Sequence, residues 1–412
     1  MAYKKIAVVM LGARMHYGVP YILHTGGLLD RLYTDSFVGN KPVLMAALRL
    51  MQALGGGKSA AKWLGRQQVG LPPQLVTSFE TLGMRYALAR RRVSEPDAME
   101  ALFIDTNRQF ADRILRRGLG DVDAVWGFCS ASVEIFQEAK AEGRFCILEQ
   151  ATLPRVLMGD LLRDVAKEWQ GWQASTSQSP EVSKIANREM EEWELADLIV
   201  AASDFVADGL IECGVAADKI RIVPYGVDTG LFPAPSEIRP ADGPLRVLFA
   251  GEVGLRKGAP YLLEALRELG PEKVHARFAG NVLLDPKKLD RYRDVAEFLD
   301  AVPRAQMPDL YQWAQVFALP SIAEGSATVS YEAILSGLPV VATYNSGTIV
   351  RDGVEGTIVP VRDVEAIVIA LDSYHKNHEL LADHSRAAIA ARHRVDLSRY
   401  SRELLNMLEE VL

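Results

Sequence analysis

Along the second half of the chain, short runs of β-branched and aromatic residues alternate with longer stretches whose apolar positions recur every three to four residues. The short runs predict buried strands at LRVLFAG (245–251), HARFAG (275–280), VFALPS (316–321) and PVVAT (339–343), with a turn and one more short strand in RDGVEGTIVP (351–360). The longer stretches predict helices at PYLLEALRELG (260–270), across the polar stretch 286–299, at MPDLYQWA (307–314), at ATVSYEAILSG (327–337) closed by Gly337, and at DVEAIVIALDSY (363–374). Strands alternating with helices in this way give a parallel sheet wrapped by helices.

The first half has the same ingredients in a less regular order, with strands predicted at KIAVVML (5–11), DAVWGFC (123–129), FCILEQ (145–150), DLIVAAS (197–203) and IRIVPYG (220–226). Between the first two of these, residues 41–117 are helical in pattern and too long for an ordinary crossover, so they read as a helical insertion. The Pro-rich FPAPSEIRPADGP (232–244) reads as a linker between two halves. The last segment, LSRYSRELLNMLEEVL (397–412), is an amphipathic helix that no strand follows, so it must pack on something already built. The chain therefore divides into an α/β unit over 1–238, an α/β unit over 239–391, and a closing segment, 392–412, that crosses back onto the first.

Composition narrows the class. With 412 residues, 49% hydrophobic and 24% charged, two globular domains can each bury a core. Three cysteines, Cys129, Cys146 and Cys213, are far apart and in no metal-ligand spacing, which fits a reducing cytoplasm. The apolar run after Lys4 and Lys5 ends at Arg14 without a cleavage pattern and reads as a buried first strand. No uninterrupted apolar stretch approaches the ~18 residues of a membrane span.

Charge adds one feature. Between Lys41 and Arg92 stand nine basic residues (Lys41, Arg49, Lys58, Lys62, Arg66, Arg85, Arg90, Arg91, Arg92) and one acid, Glu80; the whole chain carries −7, so this block is at +8 and the remainder at −15. Because Leu, Met, Trp63 and Tyr86 interleave the cations, the block suits an anionic membrane surface at the inner face of the cell membrane or a lipid-phosphate acceptor; a solvated helix face is the alternative. Nucleic acid is not expected from an acidic chain without a nucleic-acid motif.

Two segments carry candidate chemistry. In PSIAEGSATVSYEAILSGLPVVAT (320–343), Glu324 follows a strand and Glu332 lies eight residues on in the next helix, with Gly325 and Ser326 between them. A strand, a tight polar turn and a helix N-terminus form an anion site, because unpaired amides and the helix dipole point into the turn. From Ser326 to Glu332 is roughly 9 Å along a helix. The acids can then grip hydroxyls at two ends of one ligand with a diphosphate between them, as in a nucleotide sugar. In LFAGEVGLRKGAPYLLEAL (248–266), Gly251, Gly254 and Gly258 loosen the turn, and Arg256 and Lys257 precede a helix start where they would neutralise a diphosphate.

These segments resemble the retaining glycosyltransferases of family 4. The run 320–343 is similar to that family's E-x7-E motif with its following G-L-P-V strand, and 248–266 to its strand-loop-Lys-Gly segment. The resemblance implies a GT-B fold, two Rossmann-like domains facing a central cleft, with the nucleotide-sugar donor on the second and the acceptor on the first. It implies that Glu324 contacts the donor sugar, Glu332 the ribose hydroxyls and Lys257 the diphosphate, and that Gly325, Ser326, Ala327 and Thr328 complete the donor loop with Gly251. Where the family commonly carries an arginine after the first glycine this chain has Glu252, and Arg256 is the cation left to replace it. ADLIVAASDFVADGLIECGVAADKIRIVPYGVDTGLF (196–232) matches in the same order, with Ser203 a helix N-cap, Gly214 a helix stop and Asp228 a hinge residue.

In the first half the resemblance is weaker. Gly12 lets the loop LGARMHYGVPYILHTGG approach the donor phosphates, and His16 and Tyr17 would face the cleft, but the family's G-G-x-E pattern is missing. Where many members carry a histidine, this chain has Glu149 and Gln150, an acceptor-side base and partner or simply a polar strand end. Asp121-Val122-Asp123 spells the DxD of metal-dependent glycosyltransferases but precedes a strand instead of following one, so no metal is expected. No cofactor is expected either, since no GxGxxG follows a strand with an acid about twenty residues later. The implied function is retaining transfer of a sugar to a glycan or lipid-linked acceptor in cell-envelope polysaccharide or glycolipid synthesis. A GT-B-fold nucleotide-sugar epimerase and a catalytically inactive GT-B binding subunit are the alternatives.

Overall fold

The computed structural model describes residues 4–39, 41–53, 63–93, 95–174, 183–235 and 243–412. The boundary expected at 238, most of the Pro-rich linker, and Lys58 and Lys62 lie outside the described residues. Among the described residues, the strands form two sheets in which every pairing is parallel.

The first sheet contains β1 (Ile6–Met10), β2 (Leu29–Thr34), β3 (Val76–Ser78), β4 (Ala124–Phe128), β5 (Phe145–Gln150), β6 (Leu198–Ala201) and β7 (Ile220–Ile222), in the order β3-β2-β1-β4-β5-β6-β7. The second contains β8 (Leu245–Ala250), β9 (Val274–Ala279), β10 (Ala296–Phe298), β11 (Val316–Leu319), β12 (Val340–Thr343) and β13 (Gly356–Val359), in the order β10-β9-β8-β11-β12-β13. Counted from its own first strand, each sheet runs 3-2-1-4-5-6, and the first adds β7 at its edge. This is the doubly wound order, which leaves a crevice at the carboxyl ends of the first and fourth strands where the winding reverses. The central strands read as unbroken apolar runs because helices cover both faces, and every residue of β1 and β4 is buried.

Three short or polar strands escape the sequence pattern. Residues 41–117 are not wholly helical: besides helices Pro42–Ala53, Glu80–Arg90 and Pro96–Leu115 they contain β3, directly before the second of these, whose Val76 pairs with Leu32 at the sheet edge. The stretch 286–299 is not one helix. It holds one turn at Pro286–Leu289, a 3-10 turn at Asp290–Tyr292, and then β10, paired with β9 through Ala296 and Ala276. Three residues are too few to show a period, and in β2 Asp30 and Arg31 interrupt the apolar run.

The closing helix, Leu397–Val411, does cross back. Its buried Tyr400, Leu404, Met407 and Leu408 form one stripe. Tyr400 packs edge-on against Tyr225 at 5.8 Å, and Leu405 lies over Gly26 at the end of the first helix of the chain. Arg399 donates from one guanidinium nitrogen to the carbonyls of Pro224 and Tyr225, each at 2.8 Å. No helix among the described residues is long and apolar enough to cross a membrane. Replacing Arg399 with alanine strands two carbonyls at this joint, so the unfolding free energy measured in urea should fall by about 2 kcal/mol.

Candidate active site

The site forms where the loops after β8 and β11 meet. After β8 the chain turns through Gly251–Gly258 into the helix Ala259–Leu269. Gly258 has φ +70°, and a Cβ there would stand 1.9 Å from the Pro320 carbonyl at the end of the neighbouring strand, so only glycine lets the two loops close. Once closed, they are tied by the Ile322 amide donating to the Arg256 carbonyl at 2.9 Å.

This closure brings three of the expected residues together. Arg256 Nη1 lies 2.7 Å and Lys257 Nζ 3.0 Å from the same Glu324 oxygen, Oε1. Burial would push the Glu324 carboxyl up, but Lys257 and Arg256 outweigh it and hold the group below its ordinary value. The triad therefore carries a net positive charge. Glu252, the residue standing where the family has arginine, reaches Arg256 only at 3.6 Å.

Beyond Glu324 the loop turns into the helix Thr328–Leu335, whose N-terminus has no side-chain cap. A Cβ on Gly325 would fall 1.7 Å from the Ala151 carbonyl of the first unit, and Ser203 Oγ donates to the Gly325 carbonyl at 2.5 Å. Ser203 also caps its own helix, accepting from the Val206 amide, so it does more than end a helix. Ser326 Oγ pairs with Tyr331 OH at 2.8 Å, and the Ala327 amide donates to the Ser346 carbonyl at 3.2 Å.

Glu332 is buried within that helix, and both its oxygens are occupied. Arg304 Nη1 donates to Oε1 at 2.7 Å and Tyr311 OH to Oε2 at 2.9 Å. Burial and the neighbouring carboxylate push the Tyr311 phenol well above its usual range, which keeps it a donor. Neither partner was visible in the sequence: Arg304 sits in the 3-10 turn Arg304–Gln306 and belongs to no motif.

The residues expected on the acceptor side are spread differently. Tyr17 does not face a cleft; it is fully buried, donates to the Ser36 carbonyl at 2.6 Å and packs on Phe37. His16 is exposed, and Met15, His16 and Tyr17 form a left-handed turn with φ of 46°, 50° and 62°. The Gly12 amide donates to Asp35, whose other oxygen holds Arg66 at 2.6 Å. Gln150 is sealed in the core, donating to Glu189 at 2.9 Å and accepting from Trp193 at 3.1 Å. Glu149, also buried, accepts from Tyr225 OH at 2.7 Å and Trp126 Nε1 at 3.1 Å. Asp123 accepts from the Lys5 amide at the amino ends of β1 and β4, the sheet edge away from the loops that meet the second unit.

Burial pushes the Glu149 carboxyl up to about 7, against the opposing pull of Tyr225, Arg14 and Trp126. Its folded value thus exceeds its unfolded one, so the folded state holds a proton that the unfolded state has lost. That stabilisation is complete below about 4.5 and disappears as pH rises through about 7. Relative to wild type, Glu149→Gln should gain roughly 3 kcal/mol of unfolding free energy between pH 4.5 and 8, read from urea titrations at each pH. Parallel pH profiles would show that Glu149 does not titrate there.

Residues 244–377 match the family described as glycosyl transferases group 1. The chain is 30% identical over 275 residues to a GDP-mannose-dependent alpha-(1-6)-phosphatidylinositol monomannoside mannosyltransferase of Mycolicibacterium smegmatis, covering 59% of this chain and 69% of that protein. It is 34% identical over 218 residues to a D-inositol 3-phosphate glycosyltransferase of Xylanimonas cellulosilytica, covering 47% and 50%. The chain spans about half the length of several curated relatives it matches, this one included. In fold it is similar to HepE of Anabaena, solved with UDP and glucose, at a TM-score of 0.61 and 16% identity over 99% of this chain and all of that one.

Proposed function

The chain belongs to the glycosyl transferases group 1 family, and on that premise we propose that it is a retaining, metal-independent glycosyltransferase. It carries a sugar from a nucleoside diphosphate to a glycan or lipid-linked acceptor in cell-envelope polysaccharide or glycolipid synthesis. The observation that supports this most is the convergence of Arg256 and Lys257 on Glu324 beside an uncapped helix N-terminus. Both features favour an anion, and both gain strength as negative charge grows on the diphosphate while its bond to the sugar breaks. The departing oxygen then takes the proton of the acceptor hydroxyl, which attacks from the same face of the sugar.

Glu324 hydrogen-bonds the hydroxyls of the donor sugar, and Glu332 takes the ribose once Arg304 yields an oxygen. The names of two relatives, acting on an inositol phosphate and on a phosphatidylinositol mannoside, favour an acceptor with a polar, phosphate-bearing head. Because the net positive charge of the Arg256–Lys257–Glu324 triad and the uncapped helix N-terminus already favour the diphosphate, no divalent metal is required. Lys257→Ala should lower the turnover number by about a hundredfold, and wild-type transfer should persist in excess EDTA. Unchanged turnover in the variant removes Lys257 from the site, and loss of activity that magnesium or manganese restores removes the metal-free mechanism.

We further propose that the basic helices dock the acceptor side on an anionic membrane at the cytoplasmic face. Arg49, Arg85, Arg90, Arg91 and Arg92 are exposed, as are Val43, Leu50 and Met51 on one helix and Met84 and Leu88 on the other. Lys41 and Arg66 are already paired with Glu80 and Asp35, and Trp63 is half-buried, so the exposed aliphatic side chains, not Trp63, would enter the headgroups. Each engaged cation adds about 1 kcal/mol at a charged bilayer. Changing Arg90, Arg91 and Arg92 together to Glu should weaken sedimentation with phosphatidylglycerol vesicles at low salt and leave nucleotide binding intact. Wild-type protein that ignores such vesicles would make the block a solvated surface.

A further inference from the structure

The first unit reaches the proposed diphosphate loop through a segment that no motif marks. Directly after the helix Arg155–Glu168, residues 169–173 lie against the second unit. Trp172 is buried, packs edge-on against Trp169 at 4.8 Å and lies under the Arg291 guanidinium at 5.3 Å. Its carbonyl accepts from the Asp285 amide at 2.6 Å, and Gln173 forms an antiparallel bridge with Leu284. Glu168 closes the other end, accepting from Tyr261 OH at 2.8 Å and from Arg362 at 2.6 Å.

The consequence lies at Gln173. Its Oε1 accepts from the Leu255 amide at 2.9 Å, and the same atom would lie 2.9 Å from a Cβ on Gly254, so glycine leaves it room. Leu255 directly precedes Arg256 and Lys257. A loop containing Gly251, Gly254 and Gly258 that aims two cations at one carboxylate has its middle amide held by a side chain from the other unit. We propose that Gln173 is a positioning residue for nucleoside-diphosphate binding: anchored by Trp172, it orders the Gly251–Gly258 loop so that Arg256 and Lys257 are aimed before the ligand arrives. This rests on the reading of that loop as the diphosphate site. Preorganisation of this kind acts on binding and leaves the chemical step largely alone.

The test uses the full chain with Gln173→Ala and Gln173→Glu, the latter keeping an oxygen that can accept from Leu255. Hydrogen exchange over 251–258 and titration calorimetry with uridine, guanosine and adenosine diphosphates are the readouts, with KM and kcat measured for the matching sugar donor. In Gln173→Ala, exchange over 251–258 should accelerate about tenfold, the best-bound diphosphate should weaken about five- to tenfold, and KM should rise while kcat stays within about twofold. Gln173→Glu should restore slow exchange. Unchanged exchange and affinity in Gln173→Ala overturn the role of Gln173 and leave the donor reading standing. A general rise in exchange across the second unit, with kcat and KM falling together, overturns it in favour of a merely structural role. If wild type binds none of the three diphosphates, yet exchange over 251–258 still rises in the alanine variant, the donor reading fails, and the binding role of Gln173 fails with it.

Discussion

One oxygen of Glu324 is shared by Arg256 and Lys257, and the architecture around it makes that sharing possible. A carboxylate only 13% exposed is best tolerated when paired, and removing either partner alone would leave a largely desolvated charge less well compensated. The cations belong to the loop after β8 and the acid to the loop after β11, so the cluster exists only because those strands are neighbours, which is what the doubly wound order provides. The loops can approach only because Gly258 presents no Cβ to the Pro320 carbonyl. Charge, backbone freedom and topology are therefore one constraint seen at three scales.

The same constraint reaches across to the first unit. Gly325, next to Glu324, is pressed against the Ala151 carbonyl at the end of β5 and held by the Ser203 hydroxyl after β6. The carboxyl ends of both sheets thus meet at the loop that carries the acid. Buried acids organise the first unit in a similar way: the Glu192 carboxylate accepts from the amides of Ser130 and Ser132, each at 2.6 Å, and so fixes the loop after β4. Burial pushes Glu192 up to about 8 against those two amide bonds, the same balance seen at Glu149. Polar groups inside this protein shape the loops at the sheet ends, while the apolar strands supply the frame.

Much of this was legible in one sequence. The apolar runs of parallel strands buried on both faces located β1, β4, β5, β6, β8, β9, β11 and β12, and the period of the last segment announced a helix that must fold back. Glu324 at the end of one strand and Arg256 and Lys257 before a helix start were readable as two anion-favouring segments, because local structure decides where a strand end and a helix N-terminus fall. Only the family resemblance implied that they serve one ligand, and the fold places them in contact. The strands β3 and β10 were not legible, since three residues gain their identity from the neighbour that pairs with them and from no pattern of their own.

What sequence could not decide is which side chains share a space. Tyr17 reads as a cleft residue in one dimension, and Gln150 as an acceptor-side partner or a polar strand end; both prove to be core residues, satisfied by Ser36 and by Trp193 and Glu189. Glu332 was recognisable from its spacing, but its grip by Arg304 and Tyr311, 28 and 21 residues away, was not. Nor was the bond from Gln173 to Leu255, 82 residues on. The sequence by itself determined the strands with clear periods, the two-unit order and the charged residues of the loops after β8 and β11, because those follow from periodicity and local backbone chemistry. The tertiary structure alone decided burial, partners and the joint between the units, because these depend on distances that only the folded chain sets.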